Sequence, residues 1–476
     1  MLEGKPLIKL FKTRMKSYMY DANKNIIVSI TDNQYKYLSN YMNNYKEYDL
    51  DNKIVGKLIG EGFLSQNRVE EIIHPKNEFL ESMQENDLKM LTLQITQQCN
   101  FRCEYCVYSG EYLNRKHSNK NMELSIAFKG IDFLINHSKN SEKITIGFYG
   151  GEPLLRFDFI KQCIEYAEEK GEGKEIIFAI TTNGYLLNDK ITKYLYEHDV
   201  ILTISLDGPK EIHDEHRKLA FSGEGTFDTV IRNIKKIKES YPNYIENIQL
   251  NSVIDVKNNF TSINDFFLNH SVVKNFGLMS GLISDNYRKD NTKVSEDYYK
   301  KKEYELFKIY YYALKNNDIK GCSKIVIDEF NDVVALSKKF VKRNNLPKKL
   351  HHGGPCIPGV TRLFLNADGF FYPCERVSET SKLTNIGHID KGFDIESSRR
   401  ILNIGKVNEE DCKNCWAISQ CSVCIASLDN TEKEISKDKK RKVCAKMKLT
   451  IVEKFKDYCM LKEHDYAFND NKIYLS

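Results

Sequence analysis

The sequence predicts an α/β protein built on a parallel sheet with crossover helices. Three observations carry that expectation. From Lys89 onward, strand-like runs alternate with helix-length amphipathic text, the pattern of successive βα units. Polar and glycine-rich residues gather just after the strand candidates, where such folds place their sites. The chain has 476 residues, 41% apolar and 29% charged, which is ordinary for a globular protein and allows two or three domains with their own cores.

Bulk charge excludes more than it suggests. A net charge of +5 with both signs interspersed describes a solvated surface and gives no argument for nucleic acid. The first twenty residues contain no apolar signal core, and no apolar run is long enough to span a bilayer. Thirteen cysteines fall into short-spaced groups, which in a large chain without a signal points to metal or catalysis rather than disulfides. A reducing, cytoplasmic compartment is expected, with no membrane and no nucleic-acid partner.

Residues 1–88 read as a small first domain. Met15–Tyr20 and Ile26–Ile30 are strand-like around the turn chemistry of 21–25, and helical text follows over Asp32–Met42. Such a hairpin-plus-helix unit either caps the next domain or adds a peptide as a strand to its edge. Residues 89–345 form the core. Its strands are expected at Lys89–Thr96, Ile144–Tyr149, Glu175–Thr182, Ile201–Ser205, Ile248–Ile254 and Phe276–Ile283. A helix joins the first two, with Ala127, Phe128, Ile131, Leu134 and Ile135 on one face. Charged helical text covers roughly 296–343. After a Pro- and Gly-containing break, residues 346–450 are punctuated by cysteines, and 451–476 read as a terminal helix and tail.

The first chemical motif is Cys99-x3-Cys103-x2-Cys106, directly after the first core strand. Three thiolates fill three corners of a four-iron cluster and leave one iron open to a chelating small molecule. The alternative is a three-cysteine zinc knuckle, but structural zinc wants four protein ligands, and no fourth Cys or His follows at short spacing. The second strand ends in Gly150-Gly151-Glu152-Pro153, the third in Thr181-Thr182-Asn183-Gly184, and the fourth in Ser205-Leu206-Asp207 with Arg217 further on. Read singly, each is an ordinary turn or surface cluster. A second cysteine set follows: Cys356, then Gly369 and Cys374, then Cys412-x2-Cys415-x5-Cys421-x2-Cys424, then Cys444. Cys163 shares a helical face with Ile160, Ile164 and Ala167, and Cys459 likewise reads as a core thiol. His351-His352 reads as loop.

Taken together, these motifs resemble the radical S-adenosylmethionine enzymes, and the second cysteine set resembles their SPASM extension. The resemblance spans Lys89 to Cys444 and implies a partial (β/α)6 barrel, a cysteine-rich SPASM extension and a small winged-helix-like domain that recognises a leader peptide. It implies S-adenosylmethionine and three 4Fe–4S clusters as cofactors. Cys99, Cys103 and Cys106 would hold the radical-generating cluster. Tyr105 would pack beside the adenine, Gly150 and Gly151 would let backbone approach the methionine amino group, and Glu152 would help bind it. Asn183 would face the cofactor, and Ser205, Asp207 and Arg217 would lie near its ribose and carboxylate. In the family's wiring Cys412, Cys415, Cys421 and Cys444 close one auxiliary cluster. Cys356, Cys374 and Cys424 hold the other, whose eighth thiol is either absent or supplied by Cys322. Two residues rather than the usual three separate Cys421 from Cys424.

The implied activity is peptide maturation. One electron from a flavodoxin or ferredoxin cleaves S-adenosylmethionine to a 5′-deoxyadenosyl radical, which removes a hydrogen from a carbon of a ribosomally made precursor. A substrate thiolate on an open auxiliary iron then couples to that carbon, giving an intrapeptide thioether as in sactipeptides, and the remaining electron passes to the cluster. The alternative enzyme is an anaerobic sulfatase maturase, which makes formylglycine. In those enzymes Asp usually follows the cysteine equivalent to Cys374, where this chain has Glu375. Carbon–carbon crosslinking and epimerisation remain open, and a non-catalytic zinc-ribbon protein is the reading from a different class.

Overall fold

A computed structural model describes residues 5–44, 53–108, 111–112, 114–289, 295–353, 356–429, 431 and 434–468. Pro355 of the expected interdomain break and the tail beyond 468 lie outside the described residues.

The chain opens with an antiparallel three-stranded sheet, β1 (Ile8–Lys12), β2 (Ser17–Asp21) and β3 (Ile26–Ile30), in that order. The helix Asp32–Asn43 follows at once, started by a capping box in which Thr31 and Gln34 satisfy each other's backbone N–H groups. β1 was not expected. Its sequence, Ile-Lys-Leu-Phe-Lys, alternates in only part of its length, and its pairing with β2 secures it. The sheet is not a detached module. Tyr20 is fully buried with its ring 4.8 Å from that of Phe455, and the hydroxyl donates to Asn25 Oδ1 at 2.8 Å. Asn25 sits at φ 54° in the tight turn, and its amide reaches the Lys339 carbonyl at 2.7 Å. A two-residue strand, β4 (Glu71–Ile72), later pairs with a segment near residue 350.

Six parallel strands form the centre: β5 (Met90–Thr96), β6 (Lys143–Gly150), β7 (Glu175–Thr182), β8 (Ile201–Ser205), β9 (Ile248–Ile254) and β10 (Gly277–Leu282). They lie side by side in chain order, joined by helices such as Leu124–Asn136, Phe157–Lys170, Asp189–Glu197 and Phe227–Ser240. The expected strand positions hold to within one residue at each end. Long parallel strands covered by helices read as near-continuous apolar text, which made them legible.

The sheet does not stop at β5. After β11 (Lys349–Leu350), which pairs with β4, the short strand β12 (Leu363–Leu365) adds parallel to β5 with Leu363 opposite Leu91. Then β13 (Phe370–Tyr372), β14 (Gly387–His388) and β15 (Gly392–Phe393) extend it antiparallel. The result is one mixed sheet of ten strands, β10-β9-β8-β7-β6-β5-β12-β13-β14-β15. The expected partial barrel is thus six strands of a larger sheet whose first strand is a seam shared with the cysteine-rich segment. Three-residue strands such as Leu-Phe-Leu carry no period that sequence can register.

The charged text over 296–343 is two helices, Glu296–Asn316 and Ile327–Lys339, separated where Asn317 turns left-handed at φ 51°. The last helix, Lys437–Glu463, runs unbroken through residue 450 and packs against Ile327–Lys339. No described helix is long and apolar enough to cross a membrane.

Candidate functional site

β5 ends at Thr96 and the chain turns into the loop bearing Cys99, Cys103 and Cys106. The turn after β6 holds that loop by backbone contact. The N–H of Gly151 donates to Thr96 O and that of Glu152 to Gln98 O, both at 2.8 Å. Neither glycine tolerates a side chain here. A Cβ on Gly150, at φ 139°, would lie 2.1 Å from Thr96 O, and one on Gly151 would lie 2.0 Å from Gln98 O.

Glu152 joins three turns. It is 1% exposed. Oε1 accepts from Leu154 N at 3.0 Å and Thr182 Oγ1 at 2.7 Å, while Oε2 accepts from Asn183 N at 2.7 Å. Burial pushes its carboxyl above the usual range, against the pull of these hydrogen bonds. Asn183 continues the chain of contacts. Its amide donates to Asn100 Oδ1 at 2.8 Å and stands 3.9 Å from Cys99 Sγ. The segments around 99–106, 150–153 and 181–184 are therefore brought to one place.

The turn after β8 supplies a buried ion pair. Arg217 Nε and Nη2 reach Asp207 Oδ2 and Oδ1 at 2.8 and 3.1 Å. The same carboxylate accepts the Tyr105 hydroxyl and the Val253 N–H. Burial raises the Asp207 carboxyl, but the Arg217 charge and hydrogen bonds together with His213 and the Tyr105 hydroxyl outweigh it and hold the group below its ordinary range. The Arg217 guanidinium also lies 5.4 Å from the centroid of the Tyr105 ring. His213 fixes the helix behind the pair: its Nδ1 accepts from Asp207 N at 3.4 Å and Nε2 meets Thr226 Oγ1 at 3.0 Å. Burial lowers His213 to about 4, so the ring is neutral. Ser205, 8% exposed, ends β8 opposite Asn251.

The three thiols influence one another and are deeply set. Burial raises Cys99 well above its ordinary value, with Glu152 adding to the effect, and raises Cys103 to about 12. Backbone N–H groups point at the sulfurs: Phe101 N to Cys99 Sγ at 3.3 Å, and Tyr108 N to Cys106 Sγ at 3.5 Å. The same offset of two residues recurs in the second set, from Arg376 to Cys374, Ala417 to Cys415 and Val423 to Cys421. Donors of this kind stabilise sulfur as thiolate, the form in which it ligates iron.

The second cysteine set divides. Cys412, Cys415, Cys421 and Cys444 line one cavity of about 580 Å³. Cys374 instead has Cys424 among the groups acting on it. Cys356 is exposed. Cys322 is buried, and the charges acting on it are Lys308, Glu305 and Asp318. Cys163 and Cys459 are buried core thiols. The donor sets suit iron–sulfur clusters: thiols in threes and fours, backbone N–H groups on the sulfurs, and in the cavity His352, whose two ring nitrogens are buried without a partner. Beside it, His351 is satisfied within the fold, between His352 O and Gly405 N, each at 2.8 Å.

One cluster of contacts had no sequence signature. Gln94, on β5, donates to Tyr108 Oη at 2.9 Å and Glu379 Oε1 at 2.7 Å, and its carbonyl accepts from Ala367 N at 3.1 Å. Arg115, from the cysteine loop, closes an ion pair with Glu379 in which both side chains are buried. These residues tie the first cysteine loop to the second cysteine segment across 264 positions of sequence. Only the folded sheet reveals them.

Residues 93–254 match the sequence profile of the Radical SAM superfamily. Over 397 residues the chain is 23% identical to the radical SAM cyclopropyl synthase TigE of Paramaledivibacter caminithermalis, covering 79% of this chain and 77% of that one. Over 338 residues it is 26% identical to the cysteine-type anaerobic sulfatase-maturating enzyme of Clostridium novyi, covering 69% and 85%. The solved structure of native anSMEcpe with bound AdoMet shares the fold, with a TM-score of 0.59 and 21% identity over 80% of this chain and 100% of that one. Residues 93–254 are thus similar to the Radical SAM superfamily, and most of the chain is similar to a cysteine-type anaerobic sulfatase-maturating enzyme and to TigE.

Proposed function

We propose that this chain is a radical S-adenosylmethionine peptide maturase that installs intrapeptide thioether crosslinks in a ribosomally made precursor. The observation that carries the reading is the division of the second cysteine set, in which Cys412, Cys415, Cys421 and Cys444 line one cavity while Cys424 acts on Cys374 outside it; the resemblance adds Cys356 to that pair. Cys322 is held among Lys308, Glu305 and Asp318, which supports a three-thiol group with an iron open to a substrate thiolate. When bound at Cys99, Cys103 and Cys106, the cluster and S-adenosylmethionine supply a 5′-deoxyadenosyl radical on receipt of one electron from a flavodoxin or ferredoxin.

The chain's own residues then have assignable tasks. Glu152 and the glycine pair set the height of the cysteine loop against β6 and β7. Asp207 holds the Tyr105 hydroxyl and the Arg217 guanidinium lies 5.4 Å from the ring centroid, fixing a ring that would pack beside the adenine. Asn183 and Ser205 stand at the strand ends where the cofactor's polar groups would lie. At the chain start, the three-stranded sheet has β3 as an outer strand, and an outer strand is where a leader peptide adds by backbone pairing.

A second reading is favoured by a specific observation: the cysteine-type sulfatase-maturating enzymes match most of this chain's length, as does the cyclopropyl synthase. In the sulfatase-maturase reading the oxidised residue is a single Cys or Ser. Against it, Glu375 stands where those enzymes usually have Asp, and its carboxylate is 3.4 Å from Arg362 Nη1.

The test is mass spectrometry of a cysteine-containing peptide encoded beside this gene, after anaerobic reaction with the reconstituted enzyme, S-adenosylmethionine and reductant. The thioether reading expects loss of two hydrogens and a thiol that no longer alkylates. Loss of sulfur with appearance of an aldehyde would establish formylglycine formation instead.

A further inference from the structure

The helix Lys437–Glu463 carries Cys444 with a lysine one turn to either side, Lys440 and Lys448. Spacing of four residues puts all three on one face, and all three line the four-cysteine cavity. Lys440 is fully buried at 0% exposure. Its ammonium donates to the carbonyls of Ile404 at 3.0 Å and Gly405 at 2.9 Å and lies 3.6 Å from Cys412 Sγ. Among the described residues no carboxylate lies within ion-pair reach of Lys440. A buried ammonium without a counter-ion is costly, so the missing negative charge is informative. Lys448 is the foremost charged group acting on Cys415. His352, 3% exposed, lines the same cavity with both ring nitrogens lacking a partner.

We propose that Lys440 and Lys448 are the built-in counter-charges of an iron–sulfur cluster held by Cys412, Cys415, Cys421 and Cys444, and that they raise its reduction potential. This rests on reading the four thiols as a cluster site. The physical reason is direct. A cluster with four thiolates is anionic, and reduction adds a further negative charge in a partly dry cavity. Fixed cations a few ångströms away stabilise the reduced state more than the oxidised one. Lys440 is anchored by two backbone carbonyls, so its charge stays in place through the redox cycle. His352 completes the collar with a ring N–H.

The experiment uses the full chain with Cys99, Cys103 and Cys106 replaced by Ala, reconstituted anaerobically, so that signals from the first cluster are absent. Iron and acid-labile sulfide are measured, and midpoint potentials are read by EPR-monitored titration. Cys412→Ala identifies the signal that belongs to the cavity. The expected result is that Lys440→Met and Lys448→Met each move that signal to more negative potential, while Lys440→Arg largely restores it. Unchanged potentials in both Met variants, at parental iron content, would overturn the proposal. If Lys440→Met fails to fold because Ile404 and Gly405 lose their donor, Lys448→Met decides alone. If Cys412→Ala leaves iron, sulfide and every signal unchanged, the cluster reading itself falls and the proposal with it.

Discussion

Asp207 grips Arg217 through both of its oxygens, at 2.8 and 3.1 Å, in a site where the carboxylate is completely buried. The same carboxylate holds Tyr105 and Val253. Replacing it with Ala leaves a buried guanidinium, a phenol and a backbone N–H without their partner. Breaking such a pair costs about 3–5 kcal/mol. Asp207→Ala should therefore lose about that much stability in chemical denaturation of the apo-protein. A loss under about 1 kcal/mol would show that the pair is far more hydrated than its burial indicates.

Gly151 gives a steric prediction. Its Cβ would stand 2.0 Å from Gln98 O, a backbone atom that cannot swing away. Gly151→Ala should push the cysteine loop off β6, destabilise the fold by about 1–3 kcal/mol and reduce iron incorporation at Cys99, Cys103 and Cys106. Gly281→Ala is the matched control, since nothing lies within 4 Å of its added carbon. Equal iron content in the two variants would contradict the steric argument.

Asp457 predicts a pH dependence. Burial raises its carboxyl from 3.8 to about 6, opposed by the hydrogen bond it accepts from Tyr310 at 2.9 Å. Between those two values the folded state binds more protons than the unfolded one, so this group's contribution to stability is present below pH 3.8 and is lost as pH rises through 6. Asp457→Asn should therefore flatten the pH profile of the melting temperature between pH 4 and 7, and its advantage over the native chain should grow as pH rises through 6. An identical profile in both proteins would count against the raised value.

The N-terminal sheet predicts a failure of simple truncation. Phe11 and Tyr20 cover Phe455, with ring centroids at 5.8 and 4.8 Å, and Phe455 is itself fully buried. Removing residues 1–85 should expose this aromatic cluster and yield a protein that aggregates or melts well below the full chain. A truncated chain with an unchanged melting temperature would show the sheet to be an independent appendage.

What was legible in the sequence follows from period and length. The strands from β5 to β10 are long and apolar with helices between them, so their positions and their parallel arrangement could be read. The cysteine groups could be read because their members are closely spaced along the chain. Two kinds of feature were out of reach. β12 to β15 are two or three residues long, too short for any period, and they join the main sheet only through tertiary pairing with β5. The Arg115–Glu379 pair and the Gln94 contacts link residues far apart in the chain. Lys440 and Lys448 are an intermediate case: their spacing about Cys444 was visible, but ten basic residues populate that helix text, and only burial distinguishes Lys440 from its solvated neighbours.

Cys99, Cys103 and Cys106 are proposed to hold the cluster at which S-adenosylmethionine is cleaved. This proposal is tested most directly by measuring 5′-deoxyadenosine formation by the native chain and by Cys99→Ala, both reconstituted anaerobically and given S-adenosylmethionine and dithionite. The account predicts formation by the native chain and its abolition in Cys99→Ala, with iron and sulfide reduced but not absent because the second cysteine set is intact. Full cleavage by Cys99→Ala, or a native protein that binds zinc and carries no acid-labile sulfide, would contradict it.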